Sequence, residues 1–158
     1  MTLDPGTPVA LQAHASVTLA DFVNVDGDGK TNVIGGGLRA LPLDSRGYSA
    51  PFGVLASIAL PEEPDHSVIV ELVLTGPHGE TVRLADETGR STEIRVTQQA
   101  TFTSSPHHVV LRAHAFPATH VIAVSFPGGL RFLPGCDYRW QVELDGLPIL
   151  GYAFCSLA

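Results

Sequence analysis

Apolar and polar side chains alternate along residues 137–144. Tyr138, Trp140, Val142 and Leu144 occupy the apolar positions, and a polar or charged residue precedes each of them. Because successive side chains of a strand point to opposite faces of its sheet, this pattern predicts an antiparallel strand with one buried face and one solvated face.

A turn precedes this strand. It contains Leu133-Pro134-Gly135, and Tyr138 follows three residues after the glycine. The order of a turn, a tyrosine and an alternating strand resembles the tyrosine-corner region of fibronectin type III and immunoglobulin-like domains. The resemblance implies two layered sheets that share the interior into which Tyr138 and Trp140 point.

Strand-like segments bounded by turn residues recur along the rest of the chain. The predicted strands cover residues 14–25, 30–34, 53–60, 67–74, 81–84, 92–97, 109–114, 120–126 and 149–156. A short helix would fit only in 37–46 or 98–106, and neither segment has a helical apolar period. Many short strands without crossover helices predict an all-β protein, and we expect an antiparallel immunoglobulin-like β-sandwich of eight to nine strands.

Glycine-containing turns join several of these strands. Residues 26–29 read Asp-Gly-Asp-Gly between two β-rich segments, which predicts a hairpin because glycine supplies the positive φ of a tight turn. Asp145-Gly146 predicts the hairpin between the last two strands. Gly35-Gly36-Gly37 interrupts a strand and predicts a bulge or a bend.

The length of 158 residues indicates one domain with a sizeable core. We expect residues 1–13 to form a leader or edge segment and residues 14–158 to form a single β-sandwich domain. Charged residues make up only 16% of the chain, against about 25% in an average domain. Either a large core or a surface covered by an oligomer or a partner would explain this shortage.

The formal net charge is −7, and Lys30 is the sole lysine. Such a chain repels phosphate backbones and anionic membranes, so we expect no nucleic-acid or membrane partner. The N-terminus lacks the features of a secretory signal, and we expect a cytoplasmic protein. Cys136 and Cys155 are accordingly expected to be reduced, buried thiols; a disulfide between them becomes plausible only after export.

Charge is distributed unevenly. Residues 62–95 contain eleven of the 25 charged side chains, whereas residues 96–130 contain only Arg112. The first segment is predicted to be solvated. The second segment, together with the uncharged strand 147–158, is the first place where we expect a contact face.

Three histidines are candidate metal ligands. His114 ends the predicted strand 109–114, and His108 immediately precedes this strand. Because the two are an even number of residues apart, both project from the same face. His120 begins the next predicted strand. Histidines from neighbouring strands can form metal sites. No His-x-His pair or neighbouring cysteine accompanies them, so packed or solvated histidines are favoured, and we expect no metal or cofactor.

Aspartates at two places in the chain are candidate chemical groups. Alternation places Asp21 on the apolar side of strand 14–25, where it would accept hydrogen bonds or pair with Arg39, or else act as a catalytic acid. The structural role is favoured, because no second carboxylate or nucleophile is evident. Asp26-Gly27-Asp28 suggests a calcium loop, but the required ligands are missing at the later positions, which favours a plain turn.

The segment Ala20 to Gly35 resembles an N-terminal signature of a family of small bacterial proteins that is classified as a domain of unknown function. Its pattern is A-D-aromatic followed by D-G-K-x-N, two hydrophobic residues and Gly. Further matches are Asp65-His66, residues 76–79 and residues 132–138. The resemblance implies a bacterial, intracellular, β-rich domain and brings no activity or ligand.

No catalytic signature is present in the sequence. We therefore expect a non-enzymatic module that binds itself or another protein through a weakly charged face, as a homo-oligomer or a component of an assembly. A structural subunit of a phage-type or contractile particle is the first alternative. A metal-dependent enzyme or ligand binder that uses His108, His114 and His120 with Asp21 is the second.

Overall fold

The computed structural model describes residues 8–61, 63–85, 90–102 and 117–157. This part of the chain contains one helix of four residues and twelve strands. They are α1 (Val9–Gln12), β1 (His14–Ala20), β2 (Phe22–Val25), β3 (Thr31–Ile34), β4 (Ala40–Pro42), β5 (Phe52–Leu60), β6 (Val68–Thr75), β7 (Arg83–Ala85), β8 (Ser91–Glu93), β9 (Arg95–Ala100), β10 (Ala118–Phe126), β11 (Asp137–Leu144) and β12 (Leu147–Leu157).

Two sheets form the layers of a sandwich. One has the order β1-β5-β10 and the other β4-β12-β11-β6-β9. All neighbours are antiparallel except β4 and β12. β5 lies between β1 and β10 as strand B lies between A and E of an immunoglobulin domain, and β11 lies between β12 and β6 as F lies between G and C. The predicted antiparallel immunoglobulin-like sandwich is confirmed.

Two hairpins extend this framework. β2 and β3 pair from Phe22 opposite Ile34 to Val25 opposite Thr31. Along the chain, this hairpin lies between β1 of the three-stranded sheet and β4 of the five-stranded sheet. β7 and β8 form the second hairpin, between β6 and β9. The predicted strand 14–25 is therefore interrupted, because a bend at Asp21 ends β1 before β2 begins.

The core lies between the inner faces of the two sheets. Tyr138, Trp140, Val142 and Leu144 of β11 are 7%, 0%, 0% and 0% exposed, as the alternation predicts. The indole of Trp140 stacks on Phe126 of the opposite sheet, with ring centroids 5.6 Å apart. Antibody domains place an inter-sheet cystine two residues after the corner tyrosine, and this chain places Trp140 there.

The turn before β11 is held by buried hydroxyl groups. The Leu133 amide donates to the Tyr138 hydroxyl at 3.0 Å, five residues along the chain, which completes a tyrosine corner. Ser156 of β12 is fully buried; its hydroxyl donates to the Leu133 carbonyl at 2.5 Å and accepts from the Cys136 amide at 3.2 Å. The corner is thus fixed to both of the last two strands.

An ion-pair network crosses the outer face of the five-stranded sheet. Arg95 of β9 donates to Glu71 of β6 at 2.8 Å and lies 3.9 Å from Glu143 of β11. Thr97 also donates to Glu71 at 3.0 Å. The hydrogen bond from Arg95 holds the pKa of the Glu71 carboxyl below its ordinary value, and the same bond raises the pKa of Arg95. The network therefore joins three neighbouring strands.

Several local predictions differ from the structure. The helix α1 was not predicted, and Ala10 within it is buried. No helix forms in the described part of the two segments named for one: 37–46 contains β4, and β9 extends to Ala100. The predicted strand 109–114 lies outside the described residues. The division into residues 1–13 and 14–158 stays a prediction.

The described part of the chain contains no helix with the length and hydropathy that a membrane span requires.

Replacing Tyr138 with Phe removes the acceptor of the Leu133 amide and keeps the ring. We expect a loss of about 1–2 kcal/mol in the free energy of unfolding, measured by urea titration, because a partly buried donor loses its partner. Tyr48→Phe is the matched control, since the Tyr48 hydroxyl has no hydrogen bond within the described residues and its ring is 39% exposed. Equal losses in the two variants would contradict the corner's role.

Replacing Glu71 with Gln should reduce the stability by about 1 kcal/mol at neutral pH, as for a favourable surface pair. The folded state lowers the pKa of Glu71 from 4.5, so this contribution is complete above pH 4.5 and is lost as the pH falls through the folded value. Unfolding curves of wild type and variant should therefore converge in acid. Asp65→Asn is the control, because Asp65 is exposed and has no ion pair in the described structure. A difference that persists in acid would argue against the pair.

Candidate functional site

His120 is the one member of the predicted histidine group that the structure describes; His108 and His114 lie outside the described residues. Its imidazole lies 3.2 Å from the Gln98 side-chain oxygen and 5.7 Å, between ring centroids, from Phe102. Burial lowers the pKa of His120 below its ordinary value. His120 is thus a half-buried group between β10 and β9 of the two sheets.

Asp21 does not join His120. On β5, Gly53 pairs with both Ala20 and Ser125, whereas Ile58, five residues further along β5, pairs with His120. This offset places Asp21 and His120 roughly 16 Å apart along the sheet. Within the described residues, no group of three metal-binding side chains converges.

The prediction that Asp21 points into the apolar interior is wrong. Asp21 is exposed, and its carboxylate occupies the space that a side chain at Gly35 would need. The bend between β1 and β2 breaks the alternation on which the prediction depended. Its proposed partner Arg39 instead lies over the ring of Tyr152, with the guanidinium carbon 4.2 Å from the ring centroid.

The Asp26 carboxylate closes the β2–β3 turn. One oxygen accepts from the amides of Asp28 at 3.0 Å and Lys30 at 2.8 Å. An aspartate that hydrogen-bonds the backbone two residues ahead is a common turn-forming residue. The predicted hairpin at residues 26–29 is therefore present, and Asp26 has a structural role within it.

Cys155 lies in β12, and Cys136 immediately precedes the neighbouring strand β11. Both are free and half-buried. Asp137, not Cys136, is the cross-strand partner of Cys155. Because side chains alternate along a strand, Cys136 and Cys155 point to opposite faces of the sheet and do not meet the geometry of a disulfide.

The β2–β3 hairpin, residues 22–34, presents an apolar surface; we call it the arm. Its inner face is anchored where Val23, 3% exposed, packs on Gly53, and the Ser125 hydroxyl donates to the Val23 carbonyl at 3.3 Å. Its outer face carries the cross-strand pair Phe22 and Ile34, which are 48% and 63% exposed.

The arm concentrates exposed apolar residues more than any other described element. Three exposed large hydrophobic side chains of the described structure belong to the arm: Phe22, Val33 and Ile34. β12 contributes two, Leu147 and Leu157. Asn24 and Asn32 pair beside Phe22 and Ile34 on the same outer face. The strand positions of this face therefore carry no charged side chain, although the chain has a net charge of −7; the charged residues of the arm, Asp26, Asp28 and Lys30, lie at its turn.

The predicted contact segment 96–130 shows no comparable surface where it is described. Residues 96–102 and 117–130 contain none of the exposed large hydrophobic side chains. Residues 103–116 lie outside the described structure, so a contact face in that segment stays a prediction.

A second surface feature is a groove of about 650 Å³ beside the turn of residues 76–79; we call it the arginine groove. Arg39 and Arg139 line it together with Ala153 of β12. Sequence reasoning did not find this groove, because Arg39 and Arg139 are 100 residues apart and meet only through the pairing of β12 with β4 and β11.

Comparison with known proteins supports no assignment of activity. No protein-family model and no curated protein matches the sequence. The resemblance of residues 20–35 to a bacterial domain family thus stays a prediction. In terms of solved structures, the chain is similar to an immunoglobulin-like protein from Pseudomonas aeruginosa, with 14% identity over 92% of this chain and 98% of that chain and a TM-score of 0.46.

A second similar structure is the alkylpurine DNA glycosylase AlkC from Pseudomonas fluorescens, bound to DNA containing an abasic site analog. The identity is 12%, the TM-score is 0.39, and the match covers 90% of this chain but 30% of that chain. Both similarities are too distant to transfer a ligand or a reaction.

The half-buried position of His120 predicts a pH dependence. Because the folded state lowers its pKa, the unfolded chain binds a proton more readily, and stability falls as the pH drops below the ordinary value of 6.5. We expect wild type to lose stability relative to His120→Gln between neutral pH and pH 5, measured by thermal unfolding. A stability difference that does not change with pH would contradict the burial of an uncharged imidazole.

Proposed function

We propose that this protein is a non-enzymatic interaction module that associates with a second copy of itself through the outer face of the arm. The observation that carries the proposal is the exposed cross-strand pair of Phe22 and Ile34, on a face whose strand positions carry no charge. The immunoglobulin-like sandwich supports it, since this fold serves as a rigid support for interaction surfaces in many proteins.

Charge favours this face for self-association. Two copies with a net charge of −7 each repel one another, so their contact should exclude acidic residues. Asn24 and Asn32 are neutral and extend the apolar pair with hydrogen-bonding groups. A two-fold arrangement would place Phe22 of one copy against Ile34 of the other, and self-complementary contacts of this kind are the commonest in homo-oligomers.

The expected affinity is modest. One hairpin face is small compared with the roughly 1,200–2,000 Å² that stable interfaces bury. We therefore expect a dissociation constant on the order of 10–100 μM. An association of this strength suits a module that assembles when it is locally concentrated.

Replacing Phe22 or Ile34 with Ser should abolish the association, because each change removes a large part of the apolar contact. Sedimentation velocity over a concentration series should show a monomer–dimer equilibrium for wild type and monomers for both variants. Ile69→Ser is the matched control: Ile69 is 47% exposed on β6, away from the arm, and its replacement should leave the equilibrium unchanged. A wild type that remains monomeric at about 1 mM would refute self-association.

A further inference from the structure

Seven cationic side chains of the described structure, all except Arg90, divide into a paired and an unpaired group. The paired group is Lys30 with Asp28, Arg46 with Asp44, Arg83 with Glu93, and Arg95 with Glu71. Arg39, Arg131 and Arg139 have no acidic partner within the described residues. In a chain with 16 acidic residues, guanidinium groups without an acidic partner are available to an anion from outside.

The Arg139 side chain packs on a glycine of the neighbouring strand. This side chain crosses Gly151 of β12 and fills the space that any side chain at that position would need. Glycine inside a strand weakens the strand, and it is typical of places where another group must approach closely. Gly151 therefore sets the position of the Arg139 guanidinium over the outer face of the sheet.

Arg39 is held from two directions. Its guanidinium donates to the Ala153 carbonyl at 3.4 Å and lies over the Tyr152 ring. The Tyr152 hydroxyl in turn donates to the Leu38 carbonyl at 3.0 Å, which fixes the ring beside the arginine. An arginine oriented in this way loses less side-chain freedom when it binds a ligand.

The two arginines stand on either side of β12. Arg139 on β11 is the cross-strand partner of Ala153, and Arg39 bonds the same residue from the β4 side. Their backbones are therefore two strand spacings apart, about 10 Å. Ala153 is small and leaves the groove open between them, and Asp137 is the one acidic side chain among the described lining residues.

We propose that the arginine groove binds an acidic peptide segment of a partner protein, with Arg39 and Arg139 each hydrogen-bonding one carboxylate. Guanidinium groups match carboxylates in a planar, two-bond geometry. Side chains two residues apart in an extended peptide lie about 7 Å apart. Two arginines whose backbones are about 10 Å apart can contact both of these side chains. The preferred sequence is thus acidic, any residue, acidic.

The test is isothermal titration calorimetry with the capped peptide Ser-Glu-Gly-Glu-Ser and its Gln-containing counterpart, at about 20 mM salt, where exposed charges are little screened. Wild type should bind the acidic peptide at least roughly tenfold more tightly than the Gln peptide. Arg39→Gln and Arg139→Gln should each weaken binding by roughly fivefold, and the double variant should show no binding.

Two further variants separate the site from general charge. Arg131→Gln makes the same change in net charge at an unpaired arginine outside the groove, and it should leave the affinity unchanged within about twofold. Gly151→Val keeps every charge but displaces the Arg139 side chain, so it should weaken binding as much as Arg139→Gln. Circular dichroism confirms that each variant folds.

Three outcomes would overturn the proposal. They are equal binding of the two peptides, a loss in Arg131→Gln as large as that in Arg139→Gln, and binding of succinate as tight as that of the acidic peptide. The last result would assign the groove to a small carboxylate instead of a protein segment.

Discussion

The structure depends on the burial of one side of β11 between two sheets. Trp140 at the centre of that side contacts Phe126 across the layers, and β6 and β12 pair with β11 on either edge. Tyr138 and Ser156 then fix the preceding turn to the same strands. Because the position of β12 follows from this arrangement, so does the distance between the arginines that flank it.

Sequence reasoning succeeded where a local pattern is decisive. The bounds of β11 and the turn at Asp145 and Gly146 follow from alternation and turn chemistry, and both residues of that turn have positive φ. It failed at Asp21, where a bend reverses the direction of a side chain that alternation places inside. No sequence pattern predicts the role of Ser156, because a serine in an apolar strand does not indicate which turn its hydroxyl will contact.

The candidate surfaces were harder to predict than the fold. The apolar residues of the arm are visible in the sequence, but a pattern of β-branched and aromatic residues does not say which face remains uncovered. Arg39 and Arg139 become neighbours only through long-range strand pairing. Conversely, Arg95 has three acidic neighbours, Glu71 and Glu143 across the sheet and Glu93 two residues before it in the chain. Arginines therefore form ion pairs at one position of this sheet and lack an acidic partner at another.

Trp140 stands where related sandwiches carry a covalent cross-link between their sheets. Here the two layers adhere through ring stacking and the exclusion of water, while the two cysteine side chains point to opposite faces of the sheet. Reductants and oxidants consequently have no bond to break or make at the centre of the molecule. The domain can hold its shape in a reducing cell interior as well as in an oxidising exterior.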